Sequence, residues 1–488
     1  MAAIAGYIGN ERQQEHVTAM LDTLRHRGPD NRKLETGHGF AIGVQTSDLS
    51  PERGNGFAAA DSATLFFDGD IYNARSRNAS DAQVALKAYQ TFGRSFPAHL
   101  QGVFACAVLD GDELILARDS VGVRPLYWGA ASDGALCFAS EMKALSGLAD
   151  DVQELLPGTT VSSLSGVAGY LPQTPAVAVP RDPADGIRLV RDTLMQAVER
   201  RLADGAVGAC LLSGGLDSSI IAAAVKALGA TMPLLTVGFE GGSSDVDNAK
   251  VMAEHLGFEH HIALFGNADI EAIVPQAVRT MESFDEDCVS GTIANLFASK
   301  LAREHGSCIL SGEGGDELFG GYHLLKDLPS DSARQRMMQR LVDIAYNTAV
   351  QRLDRSMMAN AIHYRTPFLD TDVMALAAHL PVPWKIHCAD NGKQVEKWIL
   401  REAFKDLLPA SICQREKLRF SGGTGVDGVM DAIAANKIEP GSFNEQSRCT
   451  PCGYRLNSPK EMWYYRLFKD TFPAPCFERL VGRWDPGK

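Results

Sequence analysis

The sequence predicts an α/β chain of two units: stacked antiparallel sheets, then a doubly wound parallel sheet with a helical C-terminal part. Three observations carry this prediction. Through about residue 165, short apolar runs alternate with Gly/Asp turns at regular spacing, the pattern of antiparallel strands. Beyond residue 183, runs of strand length alternate with segments of helical period, which builds a parallel sheet. Two glycine-rich segments stand where strands give way to helices, and open α/β sheets bind ligands past their C-terminal strand ends.

Taken in order, strands are expected at 3–7, 64–67, 104–109, 113–117, 126–128 and 136–139, with helices at 13–24 and 80–92. Residues 25–30, Arg-His-Arg-Gly-Pro-Asp, read as a charged loop. Prolines at 172, 175, 180 and 183 stop both helix and strand, so the linker falls there. It separates a first domain, 1–170, from a second, 183–488. In the second, Ile187, Val190, Leu194, Ala197 and Val198 recur at helical spacing. Strands then follow at 207–212, 234–239, 261–264 and 307–310, and helices at 220–228, 247–256 and 293–304. Residues 325–488 read as mainly helical around ordered loops.

Bulk properties narrow the class. A length of 488 residues allows two to four domains, each with its own core. The net charge of −13 argues against non-specific binding to nucleic acid or an acidic membrane. No run of about 18 apolar residues is present, so no transmembrane helix is expected. The start, MAAIAGYIGN, has no basic region and breaks at Gly6 and Gly9, unlike a secretory signal. Ten scattered cysteines, several in apolar runs (Cys106, Cys137, Cys210), suit buried thiols in a cytoplasmic setting. Cys449 and Cys452 have CxxC spacing but no second pair or nearby histidines, so a surface turn is favoured over zinc or redox work.

The chemistry centres on LLSGGLDSS, Leu211 to Ser219, between an apolar strand and an alanine-rich helix. Glycines let the backbone approach an oxyanion, and the free N–H groups of a helix start point at it. No lysine follows the glycines, so this is not a Walker loop. Asp217 would repel a phosphate unless a divalent cation lay between them, which reads as a pyrophosphate-plus-Mg²⁺ site. The second loop, Ser311-Gly312-Glu313-Gly314-Gly315-Asp316, carries another aspartate. Adjacent in the fold, Asp217 and Asp316 would make a two-carboxylate site suited to Mg²⁺; otherwise Asp316 only caps the helix that follows. Glu313, set among glycines, reads as a base or a substrate contact. Lys397 and Arg401 lie one helical turn apart, and Lys417 falls on a loop beyond Leu408-Pro409. Cations are needed on the phosphates and near a developing oxyanion, although charges this dense also describe a solvated basic face.

With these loops, Thr236-Val237-Gly238-Phe239-Glu240-Gly241, Arg365-Thr366-Pro367-Phe368-Leu369-Asp370 and the stretch from Glu396 to Phe404 resemble asparagine synthetase B almost end to end. The resemblance implies an N-terminal Ntn-type glutaminase, an αββα sandwich. It also implies a C-terminal ATP-pyrophosphatase domain of the adenine nucleotide α-hydrolase type. The implied reaction turns a carboxylate into an acyl-adenylate, releases pyrophosphate and attacks the acyl group with an amine. On that likeness, Leu211, Ser213, Gly214, Gly215, Asp217, Ser218 and Ser219 resemble the nucleotide loop, centred on the pyrophosphate. Val237 and Gly312 resemble adenosine contacts, and Asp217 and Asp316 the Mg²⁺ aspartates. Lys397 resembles a phosphate ligand, Lys417 the lysine at the acyl centre, and Glu313 the acidic residue beside it. ATP and Mg²⁺ are the implied cofactors.

The departures bear on function. The family's glutaminase uses a cysteine directly after the initiator methionine, and here that residue is Ala2. The glutamine-gripping arginine should fall near Gln45, and Asn-Gly-Glu is replaced by Asp68-Gly69-Asp70, leaving Asp81 as the retained pocket residue. No glutamine hydrolysis is therefore expected. His363 replaces a glutamate ahead of Arg365, either changing the amine tolerated near the substrate or sitting on the surface. The favoured expectation is an AMP-forming amide synthetase that closes a lactam on a small amino-acid-derived carboxylate, as in the β-lactam synthetases. Those relatives, however, carry tyrosine at the position of Glu313. Alternatives are a ligase using ammonia or a separate amine, including an ammonia-dependent asparagine synthetase, and an idle homologue that only binds. No nucleic-acid or membrane partner is expected, and a homodimer stays open.

Overall fold

A computed structural model describes residues 2–9, 12–48, 56–73, 79–173, 178–389, 391–416, 426–439 and 441–484. The first 170 residues contain two six-stranded antiparallel sheets. One runs, edge to edge, Ala149–Glu154, Tyr127–Ala131, Leu136–Ala139, Ala2–Ile8, Phe40–Thr46, Asn31–Gly37. The other runs Gly166–Gly169, Thr159–Ser162, Glu113–Arg118, Gly102–Asp110, Ala63–Ile71, Phe57–Ala60. Side chains alternate along each strand, and the alternation builds four layers. Ile4, Ile42 and Val44 meet Phe66, Ala105 and Leu116 between the sheets. Ala3, Ala5 and Tyr7 turn outward onto Val17 and Leu21 of the helix Gln13–Thr23. Phe67, Cys106 and Val108 turn the other way onto Ala82, Ala85 and Leu86 of Asp81–Phe92. The αββα sandwich follows directly.

The second sheet system is a five-stranded parallel sheet in the order His260–Phe265, Leu234–Phe239, Ala209–Leu211, Cys308–Leu310, His363–Arg365. All neighbours are parallel. Before it, the helix Pro183–Leu202 starts with Asp182 accepting from the Asp185 N–H and proline in the first turn. Its Val190, Leu194, Ala197 and Val198 are buried, on the expected face.

Three expectations need correcting. Strand His363–Arg365 lies in a region read as helical; its polar sequence hides it, because its polar side chains are met by buried partners, His363 by Asp70 of the first domain and Arg365 by Asp204 and Asp70, instead of being replaced by apolar residues. The strands Asn31–Gly37 and Phe40–Thr46 pair along their whole length, yet the outer one is largely polar and exposed. The charged loop at 25–30 holds one turn of 3₁₀ helix, Arg25–Arg27, and Arg27 is fully buried. None of the ten cysteines is in a disulfide; Cys449 is exposed and pairs as a lone bridge with Arg455, and Cys452, partly buried, lies in the turn between them. Among the described residues, no helix is long and apolar enough to cross a membrane.

Candidate active site

The strand Ala209–Leu211 delivers the chain into a turn whose shape glycine permits. Gly214 has φ of +70°, and a Cβ there would lie 2.3 Å from the Asp245 carbonyl oxygen. Gly215 opens the helix Leu216–Ala227 without a side-chain cap. The loop closes on itself: the Ser213 N–H donates to Ser218 Oγ at 3.1 Å, and the two hydroxyls are 3.0 Å apart. Ser213, Gly215, Asp217 and Ser218 line a cavity of about 260 Å³ at the strand ends, where first-turn N–H groups have no partner within the helix.

The second loop is pressed against the first. A Cβ on Gly312 would come within 2.7 Å of the Ser218 nitrogen, and one on Gly315 within 2.6 Å of Asp217 Cγ. This contact brings Asp217 and Asp316 together at one cation. Lys397 Nζ bonds the Asp217 carboxylate and lies 2.6 Å from Asp316 Oδ1, with its side chain 2% exposed. Gly321 leaves room for it, since a Cβ there would sit 2.3 Å from Lys397 Cε. Gly314 occupies the cap of the helix Gly315–Phe319, so Asp316 is not its cap. Two carboxylates converging on one buried ammonium are a donor set that fits Mg²⁺ completed by phosphate and water oxygens.

Lys397 and Arg401 do not share a helical face as the sequence suggests. Lys397 is the left-handed residue (φ 54°) just before the helix Trp398–Phe404. Arg401 folds back to Glu396 Oε1 and the Arg415 carbonyl, each 2.9 Å away. Both nevertheless line the cavity, as do Leu211, Val237, Gly312 and Glu313. Two expected contacts do not: Gly214 is spent on the turn, and Ser219 is buried in the first helical turn behind the wall. Lys417 lies outside the described residues. The chain leading to it is tied down, with Arg415 donating to the Gly214 carbonyl at 2.6 Å and to Asp245 at 2.5 Å, and Glu416 lines the cavity.

The far side of the cavity holds residues that sequence reasoning missed. Arg352, from the helix Ala349–Met358, lies 3.5 Å from Glu313 Oε1. Gly291 clears its path, for a Cβ there would meet Arg352 Cδ at 2.6 Å. Burial is the largest influence on the Arg352 pKa and lowers it, but the surrounding acidic groups, Glu313 first among them, together outweigh it and the guanidinium ends above its usual value. Tyr322 bonds the Glu317 carboxylate, and the Trp484 ring stands 5.0 Å from that of Tyr322. Burial, reinforced by the charges of Glu313 and Asp316, pushes Glu317 up to about 7. Only Glu317 and Tyr322 had a local signal, being next to the second glycine loop; Arg352 and Trp484 arrive from distant segments.

The pocket at the start of the chain has become a buried ion network. The Ala2 N–H donates to Asp68 Oδ1 at 3.0 Å, and Arg27 donates to Asp68 Oδ2 at 3.0 Å. Arg27 also reaches Glu141 at 2.9 Å and, across the domain boundary, Asp354 at 2.6 Å. Burial works against the Arg27 charge, yet Asp354, Asp68 and Glu141 carry its pKa well above the guanidinium range. Gln45 accepts from Arg32 at 2.7 Å and donates to the Leu21 carbonyl. Asp81 accepts from the Ile71 N–H at 3.3 Å.

His363 is neither on the surface nor on the cavity wall. It is buried between Arg124 and Asp70, at 3.0 and 2.5 Å. A guanidinium only donates, so His363 Nδ1 accepts and Nε2–H donates to Asp70, which fixes the neutral tautomer. Arg124 is placed there by Asp119, whose carboxylate accepts N–H bonds from Phe104, Val121, Gly122, Val123 and Arg124.

Comparison with known proteins agrees with this geometry. The asparagine synthase family model matches residues 189–338 and 326–448, and a glutamine amidotransferase domain model matches 1–165. The chain is 31% identical to asparagine synthetase [glutamine-hydrolyzing] 3 of Arabidopsis thaliana, covering 98% of this chain and 88% of that protein. It is 30% identical to asparagine synthetase [glutamine-hydrolyzing] 2 of the same plant, with the same coverage of 98% and 88%. Against the Asparagus officinalis enzyme it is 30% identical over 95% of this chain and 83% of that one. By fold, by loop geometry and by likeness over nearly its whole length, the chain belongs to the asparagine synthase family, with an N-terminal domain of the glutamine amidotransferase type.

Proposed function

We propose that this protein is an ATP-dependent, AMP-forming C–N ligase that activates a small amino-acid-derived carboxylate and takes its nitrogen from free ammonia or a separate amine. The observation that carries this reading is the contrast between its two pockets. Asp217, Asp316 and Lys397 stand together as a complete phosphate-side cluster. Ala2, which stands where the family resemblance implies a nucleophilic cysteine, is buried against Asp68 and can offer no nucleophile.

In the ligase reaction a carboxylate oxygen displaces pyrophosphate from the α-phosphorus of ATP, and an amine nitrogen then displaces AMP from the acyl carbon. The Ser213–Ser218 turn offers N–H groups to the leaving pyrophosphate. Asp217 and Asp316 would hold Mg²⁺, which when bound neutralises phosphate charge. Lys397 keeps these carboxylates at cation distance. Leu211, Val237 and Gly312 form the wall on which adenosine would lie. Glu313 and Arg352 face the acyl end, and Glu313 is positioned to take the proton lost by the attacking amine. Lys417 would supply positive charge there, as the family resemblance implies.

A second reading is closure of a lactam by an amine already on the substrate. Ala2 favours it equally, since it too needs no glutamine. Purified protein with ATP and Mg²⁺ is offered L-aspartate with ammonium, then diamino and N-substituted amino dicarboxylates without ammonium, while pyrophosphate is measured. Release beyond one pyrophosphate per protein with aspartate only when ammonium is present supports the leading reading. Such multiple-turnover release without added amine supports ring closure, and no release with any acid leaves a protein that only binds.

A further inference from the structure

The first domain, which has alanine where the family resemblance implies a nucleophile, grips a helix that lines the candidate active site. Asp354 sits on the helix Ala349–Met358, two residues from Arg352, and its carboxylate is gripped from the first domain on both oxygens. Arg27 donates to Oδ2 at 2.6 Å and Arg124 to Oδ1 at 2.9 Å, with Tyr364 adding a bond to Oδ1 at 3.2 Å. The next residue, Arg355, is held at 3.2 Å by Glu141 and at 2.7 Å by Glu282. The side chains of Arg27, Arg124, Asp354, Arg355, Glu141 and Glu282 are all inaccessible to solvent. Arg352 and Leu353, on the same helix, line the cavity. The anchor for Arg27 is the former nucleophile pocket itself: Asp68 holds Arg27 with one oxygen and the Ala2 N–H with the other.

We propose that the Arg27/Arg124–Asp354 clamp is a positioning device for the synthetase site, fixing Arg352 opposite Glu313 so that the acid's acyl end is held, and that this is why the first domain is retained. The inference rests on the ligase reading above, in which Arg352 and Glu313 face the acid. Asp354 touches no substrate; it acts through the helix. Burial alone would raise its pKa, but Arg27 and Arg124 hold it below the usual value, so the pair stays charged. Such a buried pair contributes little net stability over an apolar pair, and what it adds is geometric definition.

The test uses the full chain carrying Asp354→Asn, with Arg27→Lys as a second variant that keeps the charge but not the fork. ATP–pyrophosphate exchange is driven by L-aspartate as the probe acid, or by whichever acid drives it in the wild type. The expected result is a rise in KM for the acid of about tenfold with KM for ATP nearly unchanged, in protein that still melts cooperatively. Equal effects on both KM values, or a fall in kcat alone tracking lost stability, would overturn the proposal. Hydrogen exchange supplies an arm independent of activity. It should quicken at 349–358 and in the 311–319 loop but not in the helix 216–227; a uniform change, or none, contradicts the clamp. If no acid drives exchange in the wild type, the ligase reading fails while the hydrogen-exchange arm still decides the positioning role.

Discussion

Lys397 Nζ lies 2.6 Å from Asp316 Oδ1 while also bonding Asp217, so two loops distant in sequence meet at one ammonium. Removing that charge leaves two carboxylates facing each other in a largely buried space. Lys397→Met should lower pyrophosphate release by about a hundredfold or more, the usual cost of losing one charge-stabilising contact. Thermal melts give a second readout: Mg²⁺ without nucleotide should stabilise Lys397→Met more than the wild type, because the cation position is no longer taken. Equal Mg²⁺ shifts in both proteins would refute that geometry.

Gly312→Ala tests the contact between the loops. Its Cβ would be driven to 2.7 Å from the Ser218 nitrogen, a backbone atom that cannot swing away. The loops must part, costing roughly 1–3 kcal/mol of stability and raising KM for ATP. Unchanged melting and unchanged KM would mean the loops are less tightly apposed than described.

Glu317 gives a pH dependence. Its carboxyl moves from an ordinary 4.5 to about 7 on burial beside Glu313 and Asp316. The folded protein therefore holds a proton that the unfolded chain releases. This contribution to stability is full below about pH 4.5 and is lost as pH rises through about 7. Glu317→Gln still accepts the Tyr322 hydroxyl but no longer titrates. The Tm of the variant should gain on that of the wild type between pH 5 and 8 on the order of a few degrees; parallel curves would contradict the shift.

Ala2→Cys asks whether the first pocket needs only its nucleophile. Asp68 and Arg27 already occupy the space beside residue 2 through paired contacts. Glutamate should not accumulate when this variant is incubated with glutamine. Its appearance at a rate coupled to AMP would show the pocket to be intact apart from one side chain.

The legibility of the chain follows from where its information lies. Strands of the sandwich were visible where a long apolar run marked them, as in 104–109 and 136–139; they were missed where polar, as in Asn31–Gly37, and also at Phe40–Thr46, a buried strand whose Gly43, Gln45 and Thr46 interrupt the apolar run. The glycine loops were readable because glycines tolerate the close approach that Gly312 and Gly315 make to Asp217 and Ser218. Arg352 and Trp484 carried no such mark. Each is an ordinary helix or tail residue until tertiary packing brings it to the cavity. Arg27 and His363 looked like surface or substrate charges, and only the fold shows that their partners are buried carboxylates across a domain boundary. Lys397 and Arg401 misled through periodicity, since a left-handed residue at 397 breaks the helix that spacing implied.

The source of the nitrogen is the most direct test of the account. With ATP, Mg²⁺ and an acid that supports pyrophosphate release, the product is made once with ¹⁵N-ammonium beside unlabelled glutamine and once with the labels exchanged. Label is expected in the amide from ammonium and none from the glutamine side chain, with no glutamate formed. Label arriving from glutamine, accompanied by glutamate in step with AMP, would contradict it.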